Sequence, residues 1–338
     1  MNVKKIVFTR PGTVEVQSVE TALAPVGPTE VVIKNRYSLV SAGTELACLA
    51  GIESWFRLPN TPGYIAVCEV AETGSAVTRV KAGDLVFTQG PHAAAFKVDT
   101  TVPDRGLLLR LAPGLAPELG PFTRIGSIAI TSIRVSRIEL GDNVLVTGLG
   151  LVGNVAAQLA ALQGGRVIGV DLSARRRALA AECGVAATVD AGAADWREQV
   201  RALAGSRGIT TAIDATGLSA VITDACGLVA PYGEAILLGS PRGAFQTNVT
   251  DLLNKIHLPG YLTVQGALEW RYPAFKDPFV KHSIERNAEI VMALIAAGRL
   301  HVAPLCTHRL PPERAPAAYA GLRDRKDEYI GVVFDWTQ

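Results

Sequence analysis

The sequence lacks the marks of secreted, membrane-spanning and nucleic-acid-binding proteins. Its five cysteines are scattered, odd in number and never spaced as C-x-x-C, which argues against a disulfide framework and against a structural zinc clip. No apolar run approaches the roughly 18 residues that a spanning helix needs. The net charge is only +2, without blocks of like charge, and the amino terminus shows no secretory signal. We therefore expect a cytoplasmic protein with no membrane or nucleic-acid partner.

The chain is long enough and apolar enough for two domains. It has 338 residues, of which 49% are hydrophobic. The first 120 residues alternate short apolar runs with Gly and Pro turns, which indicates a β-rich region. From residue 144 onward, short buried strands alternate with apolar helices. That alternation predicts an α/β fold with a doubly wound parallel sheet.

A glycine-rich turn is the strongest motif. Gly148, Gly150 and Gly153 form a G-x-G-x-x-G pattern between a predicted strand and a predicted helix, and Asp171 follows 23 residues after the first glycine. This context is typical of a dinucleotide site. The glycines allow a tight turn and a close approach of the backbone to the pyrophosphate, and the start of the helix offers N–H donors. A purely structural glycine turn is the alternative.

Asp171 also bears on the choice of cofactor. A carboxylate at this position suits the ribose hydroxyls of NAD and repels the 2′-phosphate of NADP. Arg175, Arg176 and Arg177 follow closely and could hold a phosphate, although a solvated helix face is the other interpretation. We expect NAD rather than NADP.

Four segments together resemble the medium-chain dehydrogenase/reductase family over essentially the whole chain. "SAGTEL" (41–46) resembles the family's CGTD loop, and residues 62–86 resemble its GHExxGxV stretch. "DATG" (214–217) resembles the turn that leads to the nicotinamide, and residues 307–322 resemble the returning tail. The resemblance implies a GroES-like catalytic domain and a Rossmann domain.

The resemblance also implies domain limits and cofactor residues. The catalytic domain would comprise residues 1–123 and 268–338, and the NAD-binding Rossmann domain residues 124–267. The cofactor-binding residues would be Gly148, Gly150, Leu151, Val152, Gly153, Asp171, Arg176, Thr216, Gly239 and Ser240. Related zinc-free proteins pair through the edge strand of the nucleotide sheet, so a homodimer or homotetramer is expected.

The resemblance breaks at the catalytic metal. Ala42, Tyr64, Ile65 and Thr123 stand at the positions that match the family's zinc ligands, and none of these side chains is a good ligand for zinc. We therefore expect no zinc. Hydride transfer then needs a hydrogen-bonding acid in place of the Lewis acid.

Four residues are candidates for that chemistry. Thr44 matches the family's proton-relay hydroxyl, although it could be a simple turn residue. Tyr64 could donate from its phenol or merely fill the space of the metal. His92 lies in a segment that matches a substrate-facing loop, although it could be merely exposed. Glu45 could orient the relay or form a structural salt bridge.

Function is predicted at the level of reaction class. We expect NAD-dependent, zinc-independent interconversion of a secondary alcohol and a ketone on a polyol, sugar, cyclitol or similar substrate. Trp270 and Arg271 are predicted to line the substrate cleft, with a surface loop as the alternative. A zinc-free quinone or enoyl reductase is the second hypothesis. A cofactor-binding protein with little catalysis is the third.

Overall fold

The computed structural model describes residues 1–103 and 105–338, which form two compact units. The first unit comprises Met1–Arg124, Tyr272–Arg299 and Leu305–Gln338, and the second comprises Ile125–Arg271 and Leu300–Pro304. Residues 268–271 and 300–304 thus group with the second unit, whereas the predicted division assigned them to the catalytic domain. Arg124, which the predicted division assigned to the Rossmann domain, groups with the first unit, and this first boundary falls inside the helix Phe122–Val135.

The elements follow in chain order. The first 124 residues contain β1 Asn2–Arg10, β2 Thr13–Glu20, β3 Glu30–Leu39, α1 Ala42–Leu49, β4 Ala66–Thr73, β5 Leu85–Thr88, β6 Ala95–Asp99, β7 Leu108–Arg110 and the start of α2 Phe122–Val135. Next come β8 Asn143–Thr147, α3 Leu151–Gln163, β9 Arg166–Asp171, α4 Ala174–Glu182, β10 Ala187–Asp190, α5 Trp196–Ala204, β11 Ile209–Asp214, α6 Ser219–Leu228, β12 Val229–Leu237, α7 Val249–His257 and β13 Thr263–Gly266. The chain ends with α8 Ile284–Ala296, β14 His308–Leu310, α9 Ala315–Asp324 and β15 Val332–Asp335.

The first unit is built on a mostly antiparallel sheet. Its strand order is β14-β15-β3-β4-β5-β7, with β6 also paired to β3 and only β14 parallel to its neighbour. The strands β1 and β2 form a separate hairpin. One apolar cluster joins Phe8, Val40, Cys48, Tyr319 and Phe334, so α1 and α9 pack with β1 and the carboxyl-terminal strand.

The second unit is a parallel sheet with the order β10-β9-β8-β11-β12-β13. The first strand of this unit, β8, lies in the middle of the sheet. The chain adds β9 and β10 on one side of β8 and then returns to add β11, β12 and β13 on the other side, so the order switches between β8 and β11. That is the point at which doubly wound sheets bind nucleotides, beyond the carboxyl ends of the strands. The predicted fold class, a β-rich domain with a doubly wound parallel sheet, is confirmed.

Two helices differ from the sequence predictions. The segment 41–46, predicted as a loop, forms the first turns of α1, and residues 122–135 form a helix that was not predicted. Helix α1 contains Gly43, and Ser41 at its N-cap position makes no side-chain hydrogen bond to the helix. Among the described residues, no helix is both long enough and apolar enough to cross a bilayer.

Candidate active site

The glycine turn has the geometry of a dinucleotide site. It joins β8 to α3, with Gly148 at φ +83° and Gly150 at the start of the helix without a side-chain cap. A Cβ on Gly153 would lie 1.7 Å from the carbonyl oxygen of Gly148, so this close packing requires glycine. A Cβ on Gly150 would meet nothing within 4 Å. The open space at Gly150 and the uncapped amides of Leu151 and Val152 fit a pyrophosphate.

Asp171 ends the next strand and is fixed by local hydrogen bonds. It is 7% exposed, and its two oxygens accept the backbone N–H groups of Leu149 at 2.7 Å and Ser173 at 2.8 Å. The guanidinium of Arg176 lies 3.8 Å from Asp171 Oδ2. Arg177 instead pairs with Asp190. A carboxylate oxygen accepts more than one hydrogen bond, so Asp171 can still accept from a ribose hydroxyl.

The remaining predicted cofactor residues gather at the ends of neighbouring strands. Thr216 donates its hydroxyl to Asp214 Oδ1 at 2.6 Å, and a Cβ on Gly148 would lie 2.7 Å from the Thr216 methyl. A Cβ on Gly239 would lie 2.4 Å from the Gly217 nitrogen. Ser240 is exposed beside them. The structure thus brings Thr216, Gly239 and Ser240 close to the glycine turn.

A hydroxyl cluster lies in the first unit. The phenol of Tyr64 donates to Ser41 Oγ at 2.5 Å and shares a hydrogen bond with the hydroxyl of Thr44. Ser41 precedes α1 and Thr44 lies in its first turn, so one helix end positions both hydroxyls beside Tyr64. We call Ser41, Thr44 and Tyr64 the hydroxyl cluster. Sequence reasoning found Tyr64 and Thr44 but missed Ser41, although it stands at the start of the same motif.

The phenol of Tyr64 remains neutral at physiological pH. Burial raises the pKa of Tyr64 above its ordinary value, and the negative charge of Glu45 raises it further. The hydrogen bonds with Ser41 and Thr44 and the positive charge of Arg124 act in the opposite direction. Since the net shift is upward, Tyr64 serves this site as a neutral hydrogen-bond donor rather than as a tyrosinate.

Glu45 is the centre of a buried network behind α1. Its Oε1 accepts the backbone N–H of Ser41 at 2.8 Å, and its Oε2 accepts the phenol of Tyr319 at 2.5 Å and faces His92 Nε2 at 3.0 Å. His92 Nδ1 lies 2.8 Å from Ser38 Oγ. Burial, followed by the charge of Glu45, raises the pKa of Tyr319 well above its ordinary range. Both ends of Glu45 are therefore engaged, and through Ser41 it fixes the start of α1.

The surroundings of His92 argue against its predicted role as a general acid. Its side chain is 0% exposed, its ring packs edge-on against Phe334, and both ring nitrogens face hydrogen-bond partners. A general acid has to regain its proton from solvent. Both ring nitrogens of His92 face partners inside the protein, so no path for a proton from solvent is open. The alternative of an exposed loop histidine is also wrong. His92 instead holds Glu45, which makes it a positioning residue.

The positions that match the zinc ligands do not fit a metal. Ile65 is fully buried and apolar, Ala42 has only a methyl group, and the phenol of Tyr64 is bonded to Ser41. Thr123 is fully buried and its hydroxyl has no hydrogen-bond partner among the described residues. In the described part of the chain, no three or more His, Cys, Asp and Glu side chains group as metal ligands do. Nothing in this donor set favours zinc over a hydrogen-bonded site.

Arg124, which sequence reasoning missed, follows Thr123 directly. It is 3% exposed, and its guanidinium carbon lies 5.6 Å from the centre of the Tyr64 ring. The available signal was its place in the sequence, one residue after the fourth position that matches a zinc ligand.

The two predicted substrate residues lie in a short 3₁₀ turn, Glu269–Arg271, of the second unit. Trp270 is 49% exposed, and Arg271 is exposed and donates to the Gly266 carbonyl at 2.7 Å. Tyr272, the next residue, belongs to the first unit and stacks edge-on with His282. Their role with substrate stays a prediction.

Comparisons with known proteins agree with this architecture. Residues 152–276 match the model of the family described as zinc-binding dehydrogenase. An L-threonine 3-dehydrogenase of Chelativorans sp. (strain BNC1) is 25% identical, with 93% of each chain covered. The structure of the alcohol dehydrogenase TADH from Thermus sp. ATN1 superposes with a TM-score of 0.81 at 24% identity, covering 98% of this chain and 99% of the other. An alcohol dehydrogenase from Escherichia coli CFT073, complexed with NADH, superposes with a TM-score of 0.79 at 15% identity over 99% of each chain.

The glycine turn, the two-unit fold and these relatives lead to one assignment. The chain is an oxidoreductase that resembles the medium-chain dehydrogenase/reductase superfamily in its fold and in its nucleotide-binding part. The family described as zinc-binding is matched through the nucleotide-binding part of the chain, which contains none of the four positions that match the zinc ligands.

Proposed function

We propose that the protein is an NAD-dependent, zinc-independent dehydrogenase that interconverts a secondary alcohol and a ketone on a hydroxylated substrate. The hydroxyl cluster carries this proposal, because it gathers three hydrogen-bonding oxygens around Tyr64, which stands at one of the four positions that match the family's zinc ligands. The names of the relatives, an L-threonine dehydrogenase and alcohol dehydrogenases, support a substrate with a CH–OH group.

The chemistry divides between cofactor and protein. Bound NAD would accept the hydride from the carbon, and Gly148, Gly150, Gly153 and Asp171 would hold the cofactor. The substrate hydroxyl would bond to the oxygens of Tyr64 and Thr44. As the Tyr64 oxygen accepts the substrate proton, the phenol would pass its own proton to Ser41 Oγ and the Ser41 hydroxyl would release one to solvent, so that Tyr64 stays neutral. A hydrogen-bonding group that shares a developing negative charge in this way contributes roughly 10²–10⁴ in rate.

NAD is the proposed cofactor because of Asp171. Its carboxylate is buried and held by two backbone N–H groups, so it does not swing away from an incoming ribose. Arg176 faces this carboxylate at 3.8 Å, and its charge is therefore partly engaged. Calorimetry tests this preference directly. Tighter binding of NADP than of NAD by the wild-type protein contradicts our interpretation of Asp171.

We further propose that the protein is cytoplasmic and forms a homodimer or a dimer of dimers. All five cysteines lie within the described residues, and no disulfide links them, which supports a reducing compartment. Among the described residues, strand β13 stands at one end of the parallel sheet, where pairing with the same strand of a second copy would extend the sheet.

The deciding experiment combines activity with metal content. The purified protein is incubated with NAD and a panel of polyols and other secondary alcohols, then with NADH or NADPH and enones. We expect NADH formation from an alcohol and at most about 0.2 zinc per chain by elemental analysis, because the donor set does not suit the metal. Consumption of reduced cofactor by an enone would support a quinone or enoyl reductase. No reaction in either arm would support a binding protein. Stoichiometric zinc, together with loss of activity when a chelator removes it, contradicts the zinc-independent mechanism.

A further inference from the structure

A buried carboxylate, that of Asp214, joins the glycine turn to the turn that follows the neighbouring strand. Asp214 ends β11, and its Oδ1 accepts the hydroxyl of Thr147 at 2.8 Å. The same Oδ1 accepts the hydroxyl of Thr216 at 2.6 Å, and Oδ2 accepts the backbone N–H of Gly217 at 3.1 Å. Thr147 is the last residue of β8, directly before Gly148. One side chain therefore ties the strand that carries the glycine turn to residues 215–217.

The turn at residues 215–217 is also confined by the turn that follows β12. Gly217 has φ +67°, and a Cβ on it would lie 2.3 Å from the carbonyl oxygen of Ser240. The backbone carbonyl of Asp214 accepts the N–H of Gly239 at 2.8 Å. Asp214 thus fixes the turn after β11 between the glycine turn and the turn after β12.

The strand order indicates which part of a dinucleotide would lie over this turn. A doubly wound sheet binds a dinucleotide across the point where the strand order switches, with the pyrophosphate at the glycine turn. Asp171, which suits the adenosine ribose, ends β9 on one side of β8, whereas Asp214 ends β11 on the other side. The adenosine half would therefore lie towards β9, and the nicotinamide half towards the turns after β11 and β12.

The hydrogen bonds indicate that Asp214 would act on a ligand through other groups. Its side chain is 1% exposed, and both carboxylate oxygens accept donors from the protein. The hydroxyl of Thr216 donates to Asp214 and accepts the backbone N–H of Leu218 at 3.0 Å, so it is committed to the turn. The turn can contact a ligand through its backbone and the Thr216 methyl group, and Asp214 determines where these lie.

We propose that Asp214 is a positioning residue that holds residues 215–217 for the nicotinamide half of the cofactor, while the adenosine half binds independently of it. This inference rests on the proposed use of NAD and concerns a residue outside the predicted cofactor contacts. A carboxylate suits the place because Oδ1 and Oδ2 both face donors, whereas an amide would turn its own N–H groups towards one of them. Without the carboxylate, the glycine turn remains but the neighbouring turn loses its fixed position.

A comparison of NAD with ADP tests this role, because ADP ends at the pyrophosphate. Calorimetry is carried out on the wild type and on Asp214→Asn. We expect Asp214→Asn to weaken the binding of NAD by about 10-fold, the scale of one buried donor left unpaired, and that of ADP by less than about twofold. With an alcohol that the wild type oxidises, kcat should fall by up to about 10²-fold, because a small misplacement of reacting atoms is costly.

A second variant and a control accompany Asp214→Asn. Thr147→Val removes one donor from the carboxylate and should give the same selective loss of NAD affinity to a smaller extent. Asp142→Asn is the matched control. Asp142 precedes β8 at the opposite end of the sheet, and its Oδ2 accepts the backbone N–H of Glu139 at 2.9 Å. This variant also loses a turn carboxylate, yet its affinities for NAD and ADP should equal those of the wild type.

The outcomes separate the role of Asp214 from the proposed function. Equal weakening of NAD and ADP in Asp214→Asn indicates a general structural role and overturns the proposal, as does an unchanged affinity for NAD. If Asp214→Asn does not fold, Thr147→Val decides by the same ratio. Selective loss of NAD affinity in a protein that oxidises no alcohol supports the role of Asp214 and contradicts the proposed dehydrogenase. A wild type that binds neither nucleotide contradicts both.

Discussion

Tyr64 is the residue on which the proposed chemistry of this site depends most. Its phenol combines two properties that a metal-free site needs, because it is polar enough to bond a substrate oxygen and, with its pKa raised by burial, it stays protonated. Serine and threonine hydroxyls share the second property but are weaker acids than a phenol. Tyrosine is therefore the group among the three that best shares a developing negative charge.

Replacing Tyr64 by phenylalanine should separate chemistry from binding. Tyr64→Phe should lower kcat by roughly 10²-fold, because general acid–base groups are worth about that much or more. The dissociation constant for NAD should change less than about twofold, since Tyr64 is in the first unit and the glycine turn in the second. Single-turnover kinetics and calorimetry measure the two quantities. Tyr37→Phe, at another part-buried tyrosine of the same unit, is the control. Near wild-type turnover in Tyr64→Phe would place the acid elsewhere.

Tyr319 gives a prediction about stability at alkaline pH. Burial and Glu45 raise the pKa of this phenol in the folded protein above the value of about 10 that it has when unfolded. At high pH the unfolded chain loses this proton first, so the contribution of Tyr319 is complete below about pH 10 and is lost as the pH rises through the folded pKa. In Tyr319→Phe, the free energy of unfolding should therefore fall less steeply with pH above pH 10, and the difference in slope should correspond to one proton.

At neutral pH the same substitution should destabilise the protein. Tyr319→Phe removes a donor from the buried Glu45, which costs about 1–3 kcal/mol in the free energy of unfolding. Urea titrations at pH 7 and at several values above 10 measure both effects. An unchanged slope above pH 10 contradicts the predicted titration of Tyr319, whatever the result at pH 7.

At the scale of elements, the strand–turn–helix unit β8–α3 is where sequence and structure agree best. Its signals are local, since the glycines, the buried strand and Asp171 lie within 30 residues, and each acts through its own backbone. Helix α2 was missed for the opposite reason. Its sequence is rich in β-branched Ile, Thr and Val, which favour strands, and burial in the folded protein overrides that preference.

The buried network behind α1 shows why the rest of the site could not be predicted. His92 meets Ser38 across 54 residues and Glu45 across 47, and Tyr319 reaches Glu45 across 274. No periodicity or motif encodes such distances, so His92 could be placed only by resemblance. The residues of the hydroxyl cluster were partly found because two of them match positions of a known motif.

The glycine turn offers a paired test of the dinucleotide site. Gly150 has φ −64°, and a Cβ there meets no protein atom within 4 Å, so Gly150→Ala should leave the protein folded and as stable as the wild type. It should nevertheless weaken NAD binding by 10-fold or more, because the methyl group occupies the space of the pyrophosphate. Gly153→Ala should lose stability as well, since its Cβ clashes with the Gly148 carbonyl. Thermal melts and calorimetry distinguish the pair. Unchanged NAD affinity in Gly150→Ala rules out a dinucleotide at this turn.

At the scale of the whole molecule, the edge of the parallel sheet sets the expected assembly. Val264 lies on the edge strand β13 with 37% of its surface exposed, and α7, which precedes that strand, exposes Val249 and Leu253 by more than half. A strand at the edge of a sheet with apolar side chains beside it is prone to association, and a twofold pairing of two such edges extends the sheet across both copies. The neighbouring apolar side chains of α7 add area that water would otherwise contact.

Light scattering should therefore give about twice or four times the chain mass of 35.6 kDa at micromolar concentration. Val264→Lys should shift the protein towards a monomer, because a twofold interface brings the two introduced charges together. Leu140→Lys is the control, since Leu140 is 89% exposed in the same unit but does not belong to β13. Both variants should bind NAD like the wild type, because neither position belongs to the glycine turn. A monomeric wild type, or a Val264→Lys protein that assembles as the wild type does, contradicts pairing through this edge and would direct attention to the other exposed apolar surfaces.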